Sequence, residues 1–163
     1  MIIIGVGANL PGPDQVDARG TCMAALRELE GRGIPVAALS PWYESEPVPR
    51  SDQPWYVNGV ARLSYHKAPG ELLSLLHEVE AKFGRVRGTP NAARTLDLDL
   101  LDFDGAVSEE GAWPVLPHPR MHARAFVLLP LRDIAPDWTH PVSGQGLETL
   151  IADLPADQRI RRV

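Results

Sequence analysis

Apolar positions along this chain change their spacing from segment to segment, and the changes outline a fold. Residues 2–7 form a short, nearly unbroken apolar run, the pattern of a buried central strand. Asp14 is a helix-capping residue type, and Val16, Met23, Leu26 and Leu29 follow as the inward positions of a predicted helix over 15–30. Gly31 and Gly33 close it. A strand is expected over 36–43, a proline-rich loop over 46–54, and a second long strand over 56–65. Pro69 suits the first turn of a second helix, in which Leu72, Leu76, Val79 and Phe83 make an apolar stripe. Residues 84–93 are polar and turn-rich and read as a mobile loop; 95–103 read as a strand. After a hairpin or loop through Gly105 and Gly111, a third helix is expected from Arg120 or Ala123 to Leu131, and a short one over 147–154.

The order β-α-β-β-α-β followed by helical additions is that of an α+β, ferredoxin-like fold: an antiparallel sheet with helices on one face. A length of 163 residues suits one domain over 1–163, and the sixteen prolines punctuate it without marking a linker. That plan hosts many activities and selects none.

Composition narrows the classes. An apolar fraction of 44% and a charged fraction of 23% are ordinary for a globular protein, and no apolar run is long enough for a membrane span. The first residues lack a basic region and read as a strand, not a signal peptide. Cys22 is the lone cysteine, which excludes an internal disulfide and suits a reducing cytoplasm; a small buried side chain is favoured over a reactive thiol. The net charge of −5 argues against broad nucleic-acid binding. Yet Lys67 and Lys82 are the only lysines, and Arg85, Arg87 and Arg94 lie close together. Guanidinium forks grip phosphate oxygens in pairs, so an acidic chain with a local arginine cluster suits a phosphate-bearing substrate.

Candidate chemistry concentrates in Arg94-Thr95-Leu96-Asp97-Leu98-Asp99-Leu100. Side chains two apart on a strand share a face, so Asp97 and Asp99 point together while the leucines point to the core. Their spacing of about 7 Å lets both reach divalent metal, and magnesium takes few carboxylates, completing its shell with water and phosphates. The same pair also fits the solvated face of an edge strand. No phosphate-binding P-loop, zinc-spaced Cys/His cluster or serine nucleophile elbow is present, and Gly5-Val6-Gly7 lacks the third glycine of a dinucleotide fingerprint. Phosphoryl-type transfer without a P-loop rests on metal, arginines and positioning.

Five ordered blocks make the pattern specific. They are Gly7-Ala8-Asn9-Leu10; Ser40 to Pro47 with Tyr43; Asp52-Gln53-Pro54 through Tyr56 and Asn58; Glu80 through Gly84-Arg85-Val86-Arg87 to Asp99; and Leu116-Pro117-His118-Pro119 through Arg124 and Phe126 to Leu131. From about residue 3 to 136 the chain resembles the 6-hydroxymethyl-7,8-dihydropterin pyrophosphokinases of folate biosynthesis. The resemblance implies transfer of pyrophosphate from ATP to the pterin alcohol, with two magnesium ions on Asp97 and Asp99. It implies a pterin stacked between Tyr56 and Phe126, with its edge read by Asn58 and by the loop around Ser45, Pro47 and Val48. It assigns Glu80, Arg85, Arg87, Arg94, His118 and Arg124 to ATP, with Arg85 and Arg94 clamping the transferred phosphates. A monomer in the cytoplasm, acting on small molecules without nucleic acid or membrane, is what such a family leads one to expect.

Chemistry suits these roles: aromatic faces hold a flat heterocycle, and a carboxamide supplies both donor and acceptor to its edge. Tyr56 also fits an ordinary sheet aromatic, Phe126 beside Val127 and Leu128 a core residue, Glu80 a partner for Arg85, and His118 between prolines a turn. The chain departs from the family pattern at Ala8, Glu46, Trp113 and the Asn91-Ala92-Ala93 stretch, where many members carry an aromatic that caps the pterin. A pterin-binding relative with impaired catalysis, or a metal-dependent nucleotidyltransferase, are the alternative readings.

Overall fold

The computed structural model describes residues 1–47, 49–85 and 95–163. Their order is β1 (Ile2–Ala8), α1 (Ala18–Gly31), β2 (Val36–Leu39), β3 (Tyr43–Ser45), β4 (Tyr56–Leu63), α2 (Pro69–Lys82), β5 (Asp97–Phe103), a 3-10 turn (Met121–Ala123), α3 (Ala125–Ile134), α4 (Leu147–Ala152) and β6 (Ile160–Arg162). The described strands form one antiparallel sheet in the order β5-β1-β4-β3-β6, with β2 also pairing β4. This is the ferredoxin-like arrangement, with β4 at its centre and the apolar β1 beside it, between β4 and β5.

Helices cover both faces, not one. α1 and α2 bury Leu26, Leu29, Leu72, Leu76 and Val79 against Ile2, Ile4, Val6, Leu98 and Leu100. On the opposite face α3 and α4 bury Val127, Leu128, Leu131, Leu147 and Leu150 against Ile3, Val60 and Leu101. A central strand apolar on both sides requires two such covers, so the C-terminal additions are a second layer.

The expected helix over 15–30 begins later. Asp17 is its cap, accepting from Gly20 N at 2.7 Å, while Asp14 sits in a left-handed turn and Val16 is 96% exposed. The expected strand over 36–43 is two strands. At the break Ser40 keeps the ladder to β4, its N–H donating to Val60 O and its Oγ accepting from Val60 N, while Pro41 has no N–H to offer. The α2 stripe is buried as expected, through Phe83. β6 was not foreseen.

Candidate active site

At the start of β5, Asp97 and Asp99 lie on the α3 side, and Leu96, Leu98 and Leu100 are buried on the other. Further along, Leu101 is an extra residue opposite the Ile3–Ile4 step of β1. Leu101 joins the α3-side core, and Asp102 turns to the same side to accept from the Trp138 indole at 2.8 Å.

Beside the outer edge of β5, Glu80 of α2 is 2% exposed. Its Oε2 accepts from Leu98 N at 2.9 Å and from the Arg85 guanidinium, which also donates to Asp97. Burial works against the Arg85 charge, but Asp97 and Glu80 more than offset it and hold the group above its ordinary range. Glu80 thus joins the helix, the edge strand and the arginine in one knot. Arg124, the residue before α3, stands 3.7 Å from Asp99, and its guanidinium lies over the Phe126 ring at 5.3 Å.

Glu80, Arg85, Asp97, Asp99 and Arg124 line a cleft of about 400 Å³ whose walls also include His77, Trp113, His118 and Arg120. The His118 N–H donates to Leu101 O at 2.9 Å, and its Nδ1 accepts from Arg120 N at 3.2 Å. Burial, then the Arg124 and Arg120 charges, push the imidazole down to about 4, against a smaller opposing effect of Asp97. A neutral ring whose Nδ1 is an acceptor carries its proton on Nε2, making His118 a hydrogen-bond donor without a charge.

Beyond β1 the same face continues into a second set of candidates. Gly7 pairs with Asp97 on one side and Asn58 on the other, and Gly5 pairs with Asp99 and Val60. The strand between them presents no side chain on this face. Asn58 is buried and donates to Ser45 Oγ at 2.6 Å. Its neighbour Tyr43 donates to Asp133 of α3 at 2.5 Å. Tyr56 and Phe126 are half-buried and Pro47 is buried. Asn9, at the end of β1, donates to Gln53 Oε1 and Pro54 O, each at 3.1 Å, tying the 46–54 loop to the sheet.

The structure therefore brings Glu80, Arg85, Asp97, Asp99, His118 and Arg124 to one cleft, and Ser45, Tyr56 and Asn58 to the same face of the sheet. Val48, Arg87, Arg94 and Asn91 lie outside the described residues. Gly5, Gly7, Asn9, His77 and Arg120 had been given no role. For the glycines a signal existed: two glycines two apart in a buried strand leave a bare strip on one face. The exposed Arg120 and the half-buried His77 carried none.

Known proteins resemble this chain over most of its length. Residues 3–136 match the model of the 7,8-dihydro-6-hydroxymethylpterin-pyrophosphokinase family. A 2-amino-4-hydroxy-6-hydroxymethyldihydropteridine pyrophosphokinase of Synechocystis is 43% identical over 91% of this chain and 73% of its own. One from Pseudomonas aeruginosa is 41% identical over 94% of this chain and 91% of its own. A folic acid synthesis protein of Schizosaccharomyces pombe is 32% identical over 94% of this chain but 20% of its own length. With the family model covering most of its length, the chain belongs to the 7,8-dihydro-6-hydroxymethylpterin-pyrophosphokinase family.

Proposed function

We propose that this pyrophosphokinase of folate biosynthesis binds ATP over β5 and the pterin over β4, and performs its transfer across the bare glycine strand between them. One observation carries the reading: Asp97 and Asn58 flank Gly7 in register on one face. Two strand spacings separate them, about 10 Å, the scale of a pterin whose hydroxymethyl arm reaches a nucleotide's β-phosphorus.

Asn58, held by Ser45, reads the pterin edge, and Tyr56 and Phe126 supply stacking faces. Val48 belongs to the same set by family resemblance, as Arg87 and Arg94 do on the nucleotide side. Arg85, Arg124 and neutral His118 face the triphosphate, and Glu80 acts by holding Arg85 and Leu98 in place. The hydroxymethyl oxygen bonds to the β-phosphorus and gives up its proton to solvent, the bond from that phosphorus to the bridging α-phosphate oxygen breaks, and AMP leaves with that oxygen.

Asp97 and Asp99 suit magnesium. They are 22% and 28% exposed, share a cleft, and among the described residues no third Asp, Glu, His or Cys joins them to complete an all-protein cage. Two ions held there would neutralise the phosphates and stabilise charge on the attacking and leaving oxygens. The lone Cys22 is buried, its thiol pushed up to about 12 chiefly by burial, which suits an inert packing role. The same reading takes 1–163 as one domain acting as a cytoplasmic monomer; among the described residues no helix is long and apolar enough to cross a membrane.

Asp97→Ala and Asp99→Ala test the assignment. Each is expected to lower pterin-dependent AMP formation by at least about 10²-fold with little change in thermal unfolding. Undiminished turnover in both would overturn it.

A further inference from the structure

We infer that Gln158 is a positioning residue for the cleft, fixing through its side-chain amide where Arg124 and Phe126 stand. The inference rests on the reading that these two residues face nucleotide and pterin.

Arg124 joins the 3-10 turn to α3 in extended conformation, and its side chain does not cap the helix. The peptide groups flanking it need other partners, because the first N–H groups of a helix have none within it. Gln158 supplies both. Its Nε2 donates to Ala123 O at 2.7 Å, and its Oε1 accepts from Ala125 N at 2.8 Å. One planar amide therefore brackets Arg124 from both sides, using donor and acceptor together.

The bracket is anchored to the sheet. Arg159 O accepts from Glu46 N at 3.0 Å, and β6 pairs with β3, bringing Ile160 opposite Ser45. Arg159 and Arg161 lie over the Trp55 ring at 5.6 and 5.2 Å, and Arg161 pairs with Glu44 at 2.6 Å. Gln158 thus starts an arm attached to the strand that carries Ser45. The arm ties the Arg124–Phe126 wall to the opposite, Ser45 side of the proposed pterin pocket. Gln158 itself belongs to neither core.

The experiment compares wild type with Gln158→Ala, Gln158→Glu, Arg124→Ala and the Gln158→Ala/Arg124→Ala double variant, well below each unfolding midpoint. Wild-type AMP release with pterin checks the functional reading by itself. Gln158→Ala is expected to lower kcat/KM by about ten- to a hundredfold. Gln158→Glu, which keeps the acceptor for Ala125 N, recovers part of the loss and serves if the alanine variant folds poorly. On the Arg124→Ala background the effect of Gln158→Ala should shrink. Calorimetric binding of a non-hydrolysable ATP analogue, weakened about tenfold in Gln158→Ala, tests the bracket without turnover. Unchanged kinetics and binding in Gln158→Ala, or a full effect without Arg124, would overturn the inference.

Discussion

His118 shows how one residue's surroundings set its chemistry. Burial and two arginines disfavour its imidazolium, so the folded chain holds it neutral to about pH 4, whereas the unfolded chain protonates it near 6.5. The unfolded state then binds more protons between those values, and stability contributed by neutral His118 is lost as pH falls from 6.5 towards 4. Denaturant unfolding across that window should show wild type losing stability that a His118→Gln variant retains; parallel losses would contradict the depressed value. The same arrangement keeps a hydrogen-bond donor in the cleft at neutral pH without adding charge. At this scale the sequence was most legible where residue type and spacing coincide. Asp97 and Asp99 two apart on a strand had to share a face, and Asn58 in a strand needed a partner, which is Ser45. Glu80 was less legible: its buried knot with Arg85 and Leu98 N depends on a helix lying along the strand edge.

At the scale of elements, the proposed site depends on a strand that carries glycine at both Gly5 and Gly7, bare there on the α3 side. Gly5 and Gly7 leave room between carboxylates and amide, and a Cβ on Gly7 would fall 2.8 Å from Asn58 Oδ1. Gly7→Ala should therefore displace Asn58 and raise KM for the pterin about tenfold, with a smaller effect on ATP. An unchanged pterin KM would refute the role of the strip. Long periodic elements were readable: the α2 stripe and the leucines of β5 are where the pattern put them. Three features were not. The start of α1 offered two capping aspartates, and apolar Val16 pulled the boundary towards the wrong one. The split between β2 and β3 turns on Ser40 and Pro41, inside a run that still reads as strand. β6 has three residues, too short for any period, and forms because β3 offers it an edge.

At the largest scale the described residues form a sheet covered on both faces, with the proposed site on the α3 side. The second cover could not be read from helix patterns alone, since each helix declares an apolar stripe but not the face that receives it. It matters because Arg124 and Phe126 come from that layer, while Asp97, Asp99 and Asn58 come from the sheet. A net charge of −5 coexists with arginines gathered where phosphate would lie. Folate-pathway pyrophosphate transfer follows from the family; the seating of its two substrates over β5 and β4 is the proposal. The most direct test is to incubate the protein with ATP and magnesium, with and without 6-hydroxymethyl-7,8-dihydropterin, and resolve the adenine nucleotides. The account requires AMP, formed only when the pterin is present. ADP in place of AMP, or folded protein that yields no pterin-dependent product, would contradict it.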